Sequence, residues 1–430
     1  MQAGSGKKLY SIVIPTRERH DVLEHALRTV LRQTRPNFEV VVMDNFSSPE
    51  TKAVVDAAAS PHVRYVRAPE RLTMLDNWEL GLQHARGDYV TVLGDDDGLM
   101  PDAVEIAEQF HAEHPGRIVT WKPLMWFWPN FFREPDRGLC YAHISARVEI
   151  RRTRDVLRRV FSSKTNYVEL PTIYYSFVPR QVIEDLRARR GRYFDTINPD
   201  IYSGLINAVS VPDYVYSFRP LSVVGMSKHS TGMSCVYSEL DSRSVDKVIE
   251  EYGAAWDPTV DERLAGAFIP EVKIADGYLE FKAQELADDP EIEFDIAALL
   301  QTVCRVASRY NARHGEVVAA IREMAVRNGL DPDQFVPLPP AAPREGHRFS
   351  YVTTNDSDLV QMSYHTNETY VRTIDDFVAT AGRLCVPPAA LRVFDVRPGA
   401  AAPRAAASRY PGLSRARRLI RSAMGQLHLA

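Results

Sequence analysis

The chain has 430 residues, 45% hydrophobic and 25% charged, an ordinary balance for a soluble globular protein of two or three domains. Its formal net charge of −4 gives no reason to expect nucleic acid as a partner. Cys140, Cys235, Cys304 and Cys385 lie far apart with no CxxC or Cys/His metal spacing, the usage of free thiols in a reducing compartment. Residues 1–8 are polar, so no signal peptide is expected. No apolar run reaches the roughly 18 residues a membrane-crossing helix needs.

In chain order, residues 9–15 read as a short apolar strand stopped by Pro15, followed by a polar loop, Thr16 to Arg19. Residues 21–33 form a helix with Val22, Leu23, Ala26, Leu27, Val30 and Leu31 along one face. A second strand, 38–44, ends in Asp44. A turn, a helix over 50–59, a strand over 63–66 and a helix over 75–86 follow, the last with Gly87 as its C-cap. The apolar run Val90 to Leu93 then ends in Gly94 and three acids, Asp95, Asp96 and Asp97. This alternation predicts a parallel sheet with helices on both faces. Three adjacent carboxylates repel one another, and strand ends in such sheets are where ligands bind. One reading is a divalent cation, Mg²⁺ or Mn²⁺, held with phosphate oxygens. The other is a solvated acidic turn that starts the helix near Pro101.

Residues 9–105 resemble the nucleotide-sugar-binding half of family 2 glycosyltransferases. The likeness lies in Ser11 to Arg17, in Val40 to Ser48, in Asn77 with Gly81, Ala85, Gly87, Asp88 and Tyr89, and in Gly94 to Asp97 followed by Pro101. The gap from Asn77 to Gly81 is two residues longer than in the family, and Gly94 stands where some members carry an acid. The resemblance implies a GT-A fold: α/β, Rossmann-like, with a mostly parallel sheet. It implies that Pro15, Thr16 and Arg17 line the nucleotide, that Asp44 accepts a hydrogen bond from the base, typically the uracil imide, and that Asn77 belongs to the same nucleotide-sugar site. Asp95 would contact the ribose and Asp96 the metal, with Asp97 as a competing ligand. Outside the resemblance, Arg17 also reads as a surface charge and Asp44 as a turn cap.

Beyond the triplet, a helix over 100–114 and a strand over 118–121 lead into residues 121–132, WKPLMWFWPNFF. This run reads either as a buried cluster or as an acceptor platform, since sugars stack on aromatic rings. A basic helix over 153–164, a strand over 173–178 and a helix over 181–190 precede Asp200, at the start of another helix. Family members that invert place a general base in this region. That implies Asp200, with Asp195 as runner-up and N-terminal capping as the plainer role. A strand over 221–226 opens into the loop Ser227 to Gly232, where His229 would complete a metal shell in the manner of some GT-A enzymes.

From about residue 241 the composition becomes that of a helical appendage, with helices over 245–252, 270–286, 292–313 and 316–329. The expected organisation is a catalytic domain over 1–240 (nucleotide-sugar half 9–105, acceptor half 106–240) and a helical region over 241–336. A linker and small mixed segment follow over 337–400, then a flexible stretch and tail over 401–430. Residues 411–430 pattern as a basic amphipathic helix suited to an anionic membrane surface or to docking on the chain itself. The implied function is metal-dependent transfer of a sugar, UDP-linked above others, to an acceptor hydroxyl on a glycan, a lipid-linked sugar or a small molecule. The expected setting is the cytoplasm or the inner face of the membrane. The alternatives are a silent binding scaffold, or a sugar nucleotidyltransferase, which would want glycines in the loop after the first strand.

Overall fold

A computed structural model describes residues 7–196, 198–230, 261–266, 269–310, 313–340, 350–354 and 359–399. The first quarter of the chain forms β1 (Tyr10–Thr16), α1 (His20–Val30), β2 (Phe38–Asp44), α2 (Pro49–Ala57), β3 (Val63–Arg67), α3 (Met74–His84) and β4 (Tyr89–Val92). β1 lies between β2 and β4, parallel to both, and β2 is parallel to β3. Alternate residues of these strands enter two different cores. Val13, Val41, Val90 and Val92 pack with Leu75 and Leu82 of α3, while Ile12, Ile14, Val40 and Val42 pack with Leu23, Leu27 and Val30 of α1. Burial on both faces explains why the strands read as continuous apolar runs.

β5 (Gly98–Leu99), α4 (Ala103–Glu113), β6 (Val119–Trp121), β7 (Leu124–Phe127), β8 (Leu139–Ile144), β9 (Arg147–Arg152) and α5 (Thr153–Phe161) follow. After them come β10 (Ser176–Pro179), α6 (Arg180–Arg190), α7 (Pro199–Ser210), β11 (Asp213–Ser217) and β12 (Ser222–Met226). The later elements are α8 (Pro270–Glu285), α9 (Ile296–Val306), α10 (His314–Arg327), β13 (Ser350–Thr354), β14 (Leu359–His365), α11 (Ile374–Ala381) and β15 (Arg392–Asp395). Among the described residues nine strands make one sheet, β15-β9-β11-β6-β10-β4-β1-β2-β3, and six make a second, β13-β14-β8-β7-β12-β5. The large sheet is mixed, because β10 runs antiparallel between β4 and β6 and β9 runs antiparallel to β11. The fold is α/β, with a large mixed sheet flanked by helices and further helices following in the C-terminal region.

The aromatic stretch is a strand and its flanks, not an open platform. Trp121 and Trp126 are fully buried. Trp121 Nε1 donates to Ser222 Oγ at 2.7 Å, and Trp126 stacks on Phe377 with ring centroids 5.3 Å apart. Phe132, at the end of the stretch, is 38% exposed. The helices α8 to α10 enclose a core of their own, including Ile269, Leu279, Leu300, Val303, Ile321 and Met324. The continuous helix expected over 292–313 is shorter, ending at Val306 before a single tight turn at Ala307–Arg309. The segment read as a small mixed piece joins both sheets: β14 pairs with β8, and β15 with β9. The helix expected over 245–252 and the tail over 401–430 lie outside the described residues. Among the described residues no helix is long and apolar enough to cross a membrane.

Candidate active site

β1 is the switch point of the parallel sheet. The chain leaves it toward β2 on one side and later returns to β4 on the other, so the loops after β1 and β4 diverge, which is where such sheets form a ligand crevice. Thr16, the last residue of β1, stands opposite Asp44, the last of β2. Its hydroxyl reaches across the crevice and donates to Asp95 Oδ2 at 2.8 Å. Arg19 Nη1 approaches the other oxygen of Asp95 at 3.3 Å.

The three acids of the triplet are all buried, yet their oxygens meet different groups. Asp96 Oδ2 accepts hydrogen bonds from the hydroxyls of Ser227 at 2.6 Å and Ser230 at 2.8 Å. Asp97 turns the other way. Its Oδ1 accepts from the Gly225 amide at 2.7 Å, its Oδ2 from the Gly94 amide at 3.2 Å, and the Tyr174 hydroxyl bonds to the same carboxyl. Burial raises the pKa of both Asp95 and Asp97, and the charge of Asp96 between them raises them further. β12 passes close beneath: a side chain at Gly225 would run into the Asp96 carbonyl, which also accepts from Trp128 Nε1 at 3.0 Å. A side chain at Gly94 would meet the Tyr174 hydroxyl, which accounts for the missing acid at that position.

At the β2 end, Asp44 is fully buried. Its Oδ1 accepts from the Ser47 amide at 3.0 Å, its Oδ2 from the Tyr65 hydroxyl, and Arg67 stands 4.0 Å away. Asn77 is buried. Its Nδ2 donates to the Met43 carbonyl at 3.3 Å, which ties α3 to the backbone just before Asp44. Phe46 follows with its ring half exposed and Arg67 4.7 Å above it. Pro15 and Arg17 flank Thr16 and are partly exposed.

Asp200 lies in the first turn of α7, after Pro199. The Tyr167 hydroxyl donates to its Oδ2 at 3.1 Å, and Thr172 and Ser203 donate to its carbonyl at 2.7 and 2.9 Å. Burial raises the Asp200 carboxyl, against the backbone amide of Ile201 and the Tyr167 hydroxyl, which lower it. Asp195 is instead a surface acid paired with Arg190 at 2.8 Å. Trp78, Tyr174 and Tyr175 form a run of touching rings: Trp78 stacks on Tyr174, Tyr174 meets Tyr175 edge-on, and Tyr175 feels the charges of both Asp97 and Asp200.

Two expected metal ligands are engaged elsewhere. His229 Nε2 sits 3.0 Å from Asp21 Oδ1, beside the Lys228–Asp21 ion pair at 3.0 Å. Asp97 is enclosed by amides. Among the described residues no three His, Cys, Asp or Glu side chains group as a metal site. What remains is the adjacent pair Asp95 and Asp96, hard oxygen donors whose charges repel. That pair fits a cation such as Mg²⁺ or Mn²⁺, which keeps waters and substrate phosphates in its shell and needs only one or two carboxylates. The hydroxyls of Tyr65, Tyr167, Tyr174, Ser227 and Ser230 escape a reading of the sequence as site residues, although the loop 227–232 stands out by its hydroxyl content.

Residues 11–169 match the model of glycosyl transferase family 2. The chain carries a domain of that family. It is 32% identical to the GalNAc(5)-diNAcBac-PP-undecaprenol beta-1,3-glucosyltransferase of Campylobacter jejuni, over 23% of this chain and 33% of that one. It is 28% identical to an uncharacterized glycosyltransferase of Haemophilus influenzae, over 27% and 38%. The chain thus spans about a third of the length of the curated relatives it matches. Among solved structures, S. aureus TarS 1-349 in complex with UDP-GlcNAc is 15% identical, with a TM-score of 0.41 over 76% of this chain and 89% of that one.

Proposed function

We infer that the chain is a nucleoside diphosphate-sugar-dependent glycosyltransferase. The observation that carries this reading is the meeting of Asp44, Thr16, Asp95 and Asp96 at the switch point of a family 2 domain. Asp44 keeps lone pairs beyond those used by Ser47 and Tyr65, and accepts the imide N–H of a uracil base. Asp95, held by Thr16 and Arg19, takes the ribose. Asp96, held by Ser227 and Ser230, is the carboxylate that would hold Mn²⁺ or Mg²⁺ beside the diphosphate. When bound, such a cation supplies Lewis-acid stabilisation of the leaving diphosphate. Asp97 organises β12 and the triplet, and His229 remains with Asp21.

Asp200 is the general base. It takes the proton of the acceptor hydroxyl as the oxygen attacks the anomeric carbon and the bond to the diphosphate breaks, a single displacement with inversion. Its buried setting lifts the carboxyl toward a pKa useful for proton transfer. The name of the Campylobacter jejuni relative supports a glycan or lipid-linked sugar as acceptor. Asp200→Asn is expected to retain nucleotide binding while release of UDP from UDP-GlcNAc or UDP-glucose falls about 10²- to 10⁴-fold. Turnover close to that of the unaltered protein would remove Asp200 from this role. The basic amphipathic pattern of residues 411–430 supports attachment to an anionic membrane surface. Deleting them should reduce co-sedimentation with phosphatidylglycerol vesicles, and equal pelleting would contradict it.

A further inference from the structure

The helical region packs directly on the elements that carry Asp200. Phe161 of α5 stacks on Tyr278 of α8 with centroids 5.6 Å apart, and Tyr202 of α7 meets Phe281 of α8 edge-on at 6.0 Å. Ion pairs frame the contact: Arg190 with Glu285, Arg154 with Asp289 at 2.6 Å, and Arg154 with Glu291 at 2.7 Å. The Asp295 amide adds a bond to the Phe161 carbonyl at 3.0 Å. Inside this frame Tyr167 has two partners. Its hydroxyl donates to Asp200, while its backbone amide faces the Tyr278 hydroxyl. A line of polar contacts therefore runs from the helical region, through one short turn, to the carboxylate.

We propose that α8 helps position the base: Tyr278 fixes the turn Tyr167–Glu169, and Tyr167 is a positioning residue that orients the Asp200 carboxylate. The inference rests on Asp200 being the base. A donated hydrogen bond favours the charged form of a carboxyl, so losing the Tyr167 hydroxyl raises the Asp200 pKa. The titratable groups that face Asp200 are Tyr167, Tyr175 from the turn Ile173–Tyr175, and Tyr278 from α8. Burial raises all three, so they stay neutral while Asp200 titrates.

The test is a ¹³C-carboxyl titration of the full chain, with the Asp200 signal assigned by its loss in Asp200→Asn. It compares the unaltered protein with Tyr167→Phe and Tyr278→Phe, both of which keep the ring and its packing. The expected result is an Asp200 midpoint that moves up in both variants. Unchanged midpoints overturn the inference, and a shift confined to Tyr167→Phe overturns the part played by α8. UDP release from UDP-GlcNAc separates this from the reading of Asp200 itself. If Asp200→Asn turns over normally, the base assignment fails, whatever the titration gives. If Asp200→Asn is inactive and both tyrosine variants titrate normally, the inference alone fails. Where both hold, the rising limb of kcat against pH moves to higher pH in Tyr167→Phe with KM for the donor unchanged.

Discussion

Gly225 sits where β12 crosses beneath the acidic triplet, and its amide holds Asp97. A methyl group there would run into the Asp96 carbonyl and the Trp128 indole, so the strand must back away. Gly225→Ala is therefore expected to cost about 1–3 kcal/mol and to weaken metal-dependent nucleotide binding, because Ser227 and Ser230 move with the strand. Differential scanning calorimetry checks the first effect, and an unchanged melting temperature would contradict the account. The acids of this site were legible in the sequence because a carboxylate at the end of a buried apolar run has few plain explanations. How each of them is held was not. Asp96 and Asp97 are neighbours in sequence, and only the distant elements around them, the 227–230 loop for one and Gly225 of β12 with Tyr174 for the other, give them different partners. His229 illustrates the same limit: its loop is near the triplet, but its ring is paired with Asp21, 208 residues earlier in the chain.

Among the elements, α11 packs against α1 of the nucleotide half. Asp375 Oδ1 lies 2.9 Å from His25 Nδ1 of α1, and Arg32 approaches its other oxygen at 3.5 Å. Burial alone would raise this carboxyl, but His25, Thr373 and Arg32 bring it down from 3.8 to about 2. A depressed carboxyl stabilises the fold above its unfolded pKa and ceases to do so as pH falls through the folded value. Asp375→Asn should thus lose about 1–2 kcal/mol at pH 6–7, and the difference should narrow as the pH drops from about 4 toward 2. Urea titrations at several pH values would measure it, and a penalty independent of pH would refute the assignment. Helix and strand existence in the first hundred residues was readable because both strand faces and one helix face are buried. Gly87 does not cap a helix, since α3 ends at His84; it is a point where β1 passes too close for a side chain.

At the scale of the molecule, β13 and β14 extend one sheet, β15 closes the other, and the helical region braces α5, α6 and α7. Neither arrangement was legible. Pairing β14 with β8 spans more than two hundred residues, and a short strand carries no mark of its partner. The sequence also divided at about residue 240 by composition, whereas the packing joins the parts on either side. The crevice at the end of β1 is expected to bind a nucleoside diphosphate through a cation on Asp96. The direct measurement is calorimetric titration of the full chain and of Asp96→Ala with UDP, GDP and TDP, with and without Mn²⁺. UDP binding is expected to require Mn²⁺ and to be lost in Asp96→Ala. Failure of the folded chain to bind any of the three, or binding indifferent to both Mn²⁺ and Asp96, would contradict it and leave the crevice as part of a silent scaffold.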